Sequence, residues 1–138
     1  MSYKDLNVYQ RAYKVAINLH QFLEKDGGKI TTDEIDQLKS MSREIIGNIA
    51  EGFSQRTSKA KRFFNFKALD IIHRIMLDLD FLHDTQRLPD ENYNSFYEEY
   101  EICAKMLYKF NQSILEKANQ QISESADQPK EAAEAVAA

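Results

Sequence analysis

The chain has 138 residues, enough for one domain with a sizeable core and too few for two ordinary domains. Four glycines and two prolines, against 43% apolar and 29% charged residues, favour helices, and the single cysteine, Cys103, excludes an internal disulfide and suits a reducing cytosol. The N-terminus carries no apolar leader and no apolar run reaches the length of a membrane span, so we expect a soluble, cytoplasmic protein.

The formal net charge of −4 is divided unevenly along the chain. The last fifteen residues contain one base, Lys130, against four acids, and they contribute −3, which leaves −1 for the rest. Those acids are Glu124, Asp127, Glu131 and Glu134. An acidic chain argues against non-specific nucleic-acid binding, but it is compatible with a local basic patch.

The first two predicted helices are bounded by recognisable turn and capping residues. Helix 1 is expected over about residues 5–25 and ends at the Asp-Gly-Gly turn of residues 26–28. Helix 2 opens at Thr31, which has capping-box spacing to Glu34, and continues to about Gln55.

Two longer helices follow. Helix 3 begins after Thr57 and Ser58 and is expected to reach about Arg87, where the Leu-Pro-Asp sequence of residues 88–90 interrupts it. Helix 4 continues to about Ser123, and the polar, Ala-rich tail of residues 124–138 is predicted to be disordered. The sequence therefore predicts an all-α fold, an antiparallel up-down-up-down four-helix bundle over residues 1–123.

The apolar faces of these helices are wider than a lone bundle requires. Helix 2 has one regular seam, Ile35, Leu38, Ser42, Ile45 and Ile49, and helix 4 has a matching one, Phe96, Tyr100, Cys103, Leu107, Phe110 and Ile114. A bundle helix needs an apolar stripe of only about 100°. The surplus predicts a subunit interface, with scattered surface aromatics as the alternative. Its candidate residues are Phe63, Phe66, Leu77, Phe81, Tyr93 and Tyr97.

Glu51, in the stretch NIAEGFSQRTSK, is the one acid that resembles a catalytic base. A general base needs a substrate pocket and usually a partner group, and no His, Ser or Cys near Glu51 in the sequence has a defined role. We expect instead a structural motif in which Asn48 and Glu51 form hydrogen bonds across a helix contact. Gly52 would then let two backbones approach each other.

Metal, nucleotide and hydrolase chemistry find no support in the sequence. Two Asp-x-x-His pairs, Asp70 with His73 and Asp80 with His83, each place two ligands on one helix face. They lie ten residues apart on one helix, about 15 Å along its axis, and cannot converge within one chain. Since the usual phosphate-binding and nucleophile motifs are also absent, we expect no metal, no cofactor and no enzymatic activity.

Charge provides the strongest functional signal. Between Gly52 and Leu69 there are five bases and no acid, and the bases surround Phe63, Phe64 and Phe66. The bases are Arg56, Lys59, Lys61, Arg62 and Lys67. Bases among aromatic residues suit single-stranded or structured RNA. The alternative is a solvated helix start whose aromatic residues turn inward, although bases at a helix N-terminus oppose the helix dipole.

Two stretches resemble a known family. Residues 45–52, IIGNIAEG, resemble the I-P-x-N-I-A-E-G signature of the four-helix-bundle proteins encoded in 23S rRNA intervening sequences. Residues 6–12, LNVYQRA, look like that family's L-x-V-[WY]-Q-x-A opening, and the similarity covers about residues 3–118. Gly47 stands where the family has proline, so a flexible point would replace a kink.

The resemblance implies a non-enzymatic, left-handed bundle that assembles into a homopentameric ring. It also implies a relation to the accessory variability determinants of diversity-generating retroelements, which associate with a reverse transcriptase and RNA. We therefore expect a homo-oligomeric adaptor that contacts RNA or a ribonucleoprotein through the bases between helices 2 and 3. The alternatives are a protein–protein scaffold without nucleic acid, or an accessory subunit of a retroelement reverse transcriptase.

Overall fold

The computed structural model describes residues 1–124, and these are almost entirely helical. A short 3-10 turn, η1 (Tyr3–Asp5), precedes four helices: α1 (Asn7–Asp26), α2 (Thr32–Ser54), α3 (Ser58–Asp84) and α4 (Asp90–Glu124). No strand occurs among the described residues. The predicted tail, residues 124–138, lies outside the described part of the chain except for Glu124, which ends α4.

Local hydrogen bonds explain where the helices begin. Thr31 Oγ1 accepts from the Glu34 N–H at 3.2 Å, and Glu34 Oε1 accepts from the Thr31 N–H at 3.0 Å, so the predicted capping box is confirmed. Thr57 Oγ1 accepts from the Ala60 N–H at 3.1 Å and caps α3 in the same way. The first helix starts at Asn7 rather than Asp5, because Ser2 forms a separate capping box over η1.

The third helix ends three residues before the predicted end at Arg87. Thr85 caps α3, and Gln86 has a φ of 61°, in the left-handed region that an α-helix cannot use. The chain therefore reverses before Pro89 rather than at it.

Contacts between the helices follow an antiparallel square. Each helix packs against its two neighbours in the ring α1–α2–α3–α4, and within residues 1–124 no diagonal pair is in contact. His20 forms a hydrogen bond with Ser42 between α1 and α2, and Asn65 forms one with Asn111 between α3 and α4. Both pairings are those expected of antiparallel neighbours. The predicted up-down-up-down bundle is confirmed.

The predicted seams of α2 and α4 form much of the core. Leu38, Ser42, Ile45 and Ile49 are buried in α2, and Phe96, Tyr100, Cys103, Leu107 and Ile114 are buried in α4. Two seam residues depart from the prediction: Ile35 is half-buried against the core, and Phe110 is half-buried while its neighbour Asn111 is buried instead. Burial raises the pKa of the Cys103 thiol to about 11, which keeps it protonated at neutral pH.

A salt bridge joins the start of α2 to the α3–α4 turn. Both lie at the end of the bundle that also contains the α1–α2 turn. The Arg87 guanidinium donates to Glu34 Oε1, the same oxygen that completes the Thr31 capping box. The Arg87 hydrogen bond and then the Thr31 N–H lower the pKa of Glu34 from its usual value of 4.5 to about 2. A carboxylate with a depressed pKa stabilises the folded state above pH 4.5 and loses that contribution as pH falls towards 2.

We therefore expect Glu34→Gln to reduce the free energy of unfolding by about 1–2 kcal/mol at pH 7, a value limited by solvent screening. The difference from wild type should shrink between about pH 4.5 and pH 2, which urea titrations at several pH values would measure. Glu24→Gln is the matched control, since Glu24 pairs with Lys39 but its side chain is 66% exposed. A wild-type advantage that stays constant down to pH 3 would contradict this assignment.

Candidate nucleic-acid interface

The turn between α2 and α3 is tight because Gly52 lets the two helices touch. A Cβ built on Gly52 would lie 3.1 Å from Asn65 Oδ1, 3.2 Å from Phe64 Cβ and 3.3 Å from the Lys61 carbonyl oxygen. All three atoms belong to the first turns of α3, so the expected close backbone approach at Gly52 is present. In contrast, a Cβ on Gly47 would meet no atom within 4 Å, and α2 runs through Gly47 without interruption.

These two glycines give opposite predictions for the same substitution. Gly52→Ala should lower the free energy of unfolding by about 1–2 kcal/mol, because overpacking here presses on backbone as well as on side chains. Gly47→Ala should raise it by about 0.5–1 kcal/mol, since alanine is the better helix former where space is open. Urea denaturation of both variants would test this, and equal effects would contradict the packing described at Gly52.

Five bases surround this turn, and we call their surface the basic corner. They are the predicted Arg56, Lys59, Lys61, Arg62 and Lys67. Arg56 and Lys59 are exposed, and Lys61 Nζ donates to the Phe53 carbonyl oxygen at 3.0 Å. That hydrogen bond holds Lys61 across the turn between α2 and α3.

The two remaining bases lie over aromatic rings. Arg62 Cζ is 5.7 Å from the centroid of Phe66, and Lys67 Nζ is 5.5 Å from that of Phe63 and 5.7 Å from that of Phe64. Such distances fit cation–π interactions. The alternative in which the aromatic residues turn inward fails for Phe63 and Phe66, which are exposed by 56% and 39%.

The stretch of sequence that forms the basic corner contains no acid. Within residues 1–124, none of the five bases forms a salt bridge, whereas four Lys or Arg side chains elsewhere in this part of the chain do. The sequence explains this segregation, since Glu51 and Asp70 are the nearest acids on either side. The corner is therefore positive even though the chain as a whole is acidic.

A buried pair of amides holds the start of α3 against α4. Asn65 Nδ2 donates to Asn111 Oδ1 at 2.9 Å, and Asn111 Nδ2 donates to the Arg62 carbonyl oxygen at 3.2 Å. Asn65 and Asn111 are exposed by only 2% and 4%. Sequence reasoning missed both residues, although each occupies an apolar seam position, one turn from Leu69 and from Leu107 respectively.

The predicted hydrogen bonds of Asn48 and Glu51 across a helix contact are wrong for the described chain. Asn48 Nδ2 donates to the Glu44 carbonyl oxygen, and Glu51 Oε1 accepts from Gln55 Nε2, so both side chains bond within their own helix. Glu51 is exposed on the last turn of α2, which leads into the basic corner. Because water can hydrate its carboxylate there, no hydrogen bond to a neighbouring helix is needed.

The two Asp-x-x-His pairs of α3 do not form a common site. Asp80 accepts from the Tyr93 hydroxyl, which raises the pKa of Tyr93 to about 12, and His83 Nε2 lies 2.6 Å from Asp90 Oδ1. These contacts connect α3 to the start of α4. Among residues 1–124, no group of three or more His, Cys, Asp or Glu side chains is arranged to hold a metal ion.

The six interface candidates are arranged in two groups. Phe63 and Phe66 lie in the basic corner, and the other four lie towards the opposite end of the bundle. There Leu77 and Phe81 are exposed by 65% and 60%, while Tyr93 and Tyr97 are half-buried beside each other, with ring centroids 5.4 Å apart. We call Leu77 and Phe81 the distal apolar patch.

Fold and surface together define a class: a four-helix-bundle protein with a segregated basic and aromatic corner. The family model of the 23S rRNA-intervening sequence protein matches residues 4–109. Because this match covers more than half of the 138 residues, the chain belongs to that family, as its sequence motifs indicated. Neither a curated protein nor a solved structure gives a significant match. None of the described helices is long and apolar enough to cross a lipid bilayer.

Proposed function

We propose that the protein is a cytoplasmic, non-enzymatic, homo-oligomeric adaptor that contacts RNA through the basic corner. One observation carries this proposal: five bases, close in sequence around the α2–α3 turn, that form no salt bridge within the described chain. Uncompensated cations on a folded surface repel one another, and a polyanion relieves that repulsion while releasing its counterions. Membership of the 23S rRNA-intervening sequence protein family fits a non-enzymatic role.

Self-association is the second part of the proposal, and the distal apolar patch supports it. Leu77 and Phe81 expose two large apolar side chains on one face of α3, where water contact is unfavourable. A second copy of the chain would cover them, and the family resemblance suggests a pentamer. In a ring each subunit repeats the basic corner, so weak phosphate contacts act together.

The test of RNA contact is a salt titration with a fluorescent RNA stem-loop. Replacing Arg56, Lys59 and Lys61 with Gln should weaken binding at about 50 mM salt by at least about tenfold. The slope of log K against log salt should become shallower by about 2 to 3, because three phosphate contacts are lost. Helicity and oligomer mass should stay unchanged.

A control of equal charge comes from replacing Lys14, Lys25 and Arg43 with Gln. These exposed bases lie on α1 and α2 outside the basic corner, so their loss changes net charge equally but should leave the slope close to that of wild type. If both triple variants lose the same affinity, the corner is not a specific surface. If the wild-type protein shows no salt-sensitive RNA binding, a protein scaffold or a reverse-transcriptase subunit replaces this function.

A further inference from the structure

Two aromatic rings at the basic corner face solvent although their neighbours are charged. Phe63 and Phe66 lie one turn apart on α3, about 4.5 Å along the helix axis. Lys67 lies over the Phe63 ring and Arg62 over the Phe66 ring. Phe63 also makes an edge-to-face contact with Phe64, with ring centroids 5.2 Å apart, and exposures of 56% and 39% leave part of the Phe63 and Phe66 side chains accessible beside the cations.

A subunit contact is a poor explanation for these two rings. An apolar partner covering Phe63 and Phe66 would also remove Lys67 and Arg62 from water, and neither cation has a carboxylate partner within residues 1–124. Desolvating an unpaired charge is strongly unfavourable. The distal apolar patch differs here, because Arg87, the cation nearest the Phe81 ring, is paired with Glu34.

A nucleic acid with unstacked bases satisfies both features at once. Nucleobases stack on exposed aromatic rings while the phosphates contact the Lys and Arg side chains, which is the usual arrangement in single-strand binding surfaces. A duplex satisfies only the cations, because its bases are already stacked on one another. The buried Asn65–Asn111 pair, within the same turns of α3, holds this surface rigidly against α4.

We propose, on the basis of the RNA contact inferred above, that the basic corner binds single-stranded RNA with bases stacked on Phe63 and Phe66. The ligand class is thus an unpaired stretch of RNA, such as a loop or a strand end. Phe63 and Phe66 act as base-stacking residues, and the interface role is left to the distal apolar patch.

The experiment compares two fluorescent probes with the full-length chain at about 150 mM salt: a 12-nucleotide oligouridine and a 12-base-pair RNA duplex. Wild type should bind the single strand more tightly. Phe63→Leu should weaken single-strand binding about tenfold, leave duplex binding within about twofold, and leave the salt slope unchanged. Phe63→Tyr, which keeps the aromatic ring, should retain wild-type affinity. Phe81→Leu should leave the binding of both probes unchanged.

Each other outcome overturns a defined part of the proposal. If Phe63→Leu weakens the binding of neither probe, or weakens the binding of both equally, stacking is refuted. RNA contact would still stand, with the Lys and Arg side chains binding phosphates alone. A changed oligomer mass in Phe63→Leu would show that the Phe63 side chain lies in a subunit contact, which would also refute stacking. If wild type binds neither these probes nor the stem-loop, the proposed function itself fails.

Discussion

Phe81→Asp should dissociate the oligomer. The proposed interface buries the distal apolar patch, and a carboxylate placed there would lose its hydration. The nearby cation, Arg87, is already paired with Glu34, so we expect a cost of about 3 kcal/mol or more per contact. In a ring every contact carries the change, so the losses accumulate. Light scattering at micromolar concentration should show the mass falling from a multiple of 16.1 kDa towards the monomer value.

The matched control is Phe81→Leu, which keeps an apolar side chain and should keep the oligomer. Circular dichroism of Phe81→Asp should stay helical, because Phe81 is 60% exposed within its own chain and contributes little to the core. A wild-type protein that scatters as a clean monomer would refute self-association, and the distal apolar patch would then need a different partner.

Asn111→Leu should be the most destabilising conservative change at the basic corner. It removes the acceptor of Asn65 Nδ2 and a donor to the Arg62 carbonyl oxygen, and it leaves the Asn65 amide buried without a hydrogen bond. An unpaired buried amide costs about 1–3 kcal/mol, so we expect a loss of about 2–3 kcal/mol in the free energy of unfolding. Urea titration would measure it.

A double-mutant cycle separates the hydrogen bond from packing. The double variant Asn65→Leu, Asn111→Leu removes both amides and leaves neither unpaired. Its loss in free energy of unfolding should be smaller than the sum of the two single losses by about 1 kcal/mol or more. Gln112→Leu on the adjacent, exposed position of α4 is the control and should change stability little. Strict additivity of the two asparagine variants would contradict the coupling.

Helices and topology were predictable because they depend on local and periodic signals. The Thr31 capping box and the seam from Leu38 to Ile49 can be identified in sequence, and both are confirmed. The boundaries that were missed depend on backbone conformation: the left-handed Gln86 ends α3 early, although glutamine carries no strong turn signal. Periodicity shows which face is apolar, but the conformation of one polar residue decides the last turn.

The candidate site was predictable as a set of charges but not as an arrangement. A run of five bases without an acid is visible in sequence, whereas the cations over Phe63 and Phe66 depend on side-chain directions along α3. The pairing of Asn65 with Asn111 spans 46 residues, and no local pattern indicates it. The sequence predicts hydrogen bonds of Asn48 and Glu51 across a helix contact, yet both side chains bond within α2 and its cap, and Gly52 makes the contact.

The direction of the chain has a consequence for fusion proteins. The antiparallel pairing of Asn65 with Asn111 directs the last turns of α4 towards the α2–α3 turn, and η1, at the beginning of the chain, packs against α2. Both ends of the described chain therefore lie near the basic corner. A domain or affinity tag joined directly at either end of residues 1–124 would compete sterically for that surface. An insertion beside the exposed Gly28 would sit about 35 Å away, across the length of α2.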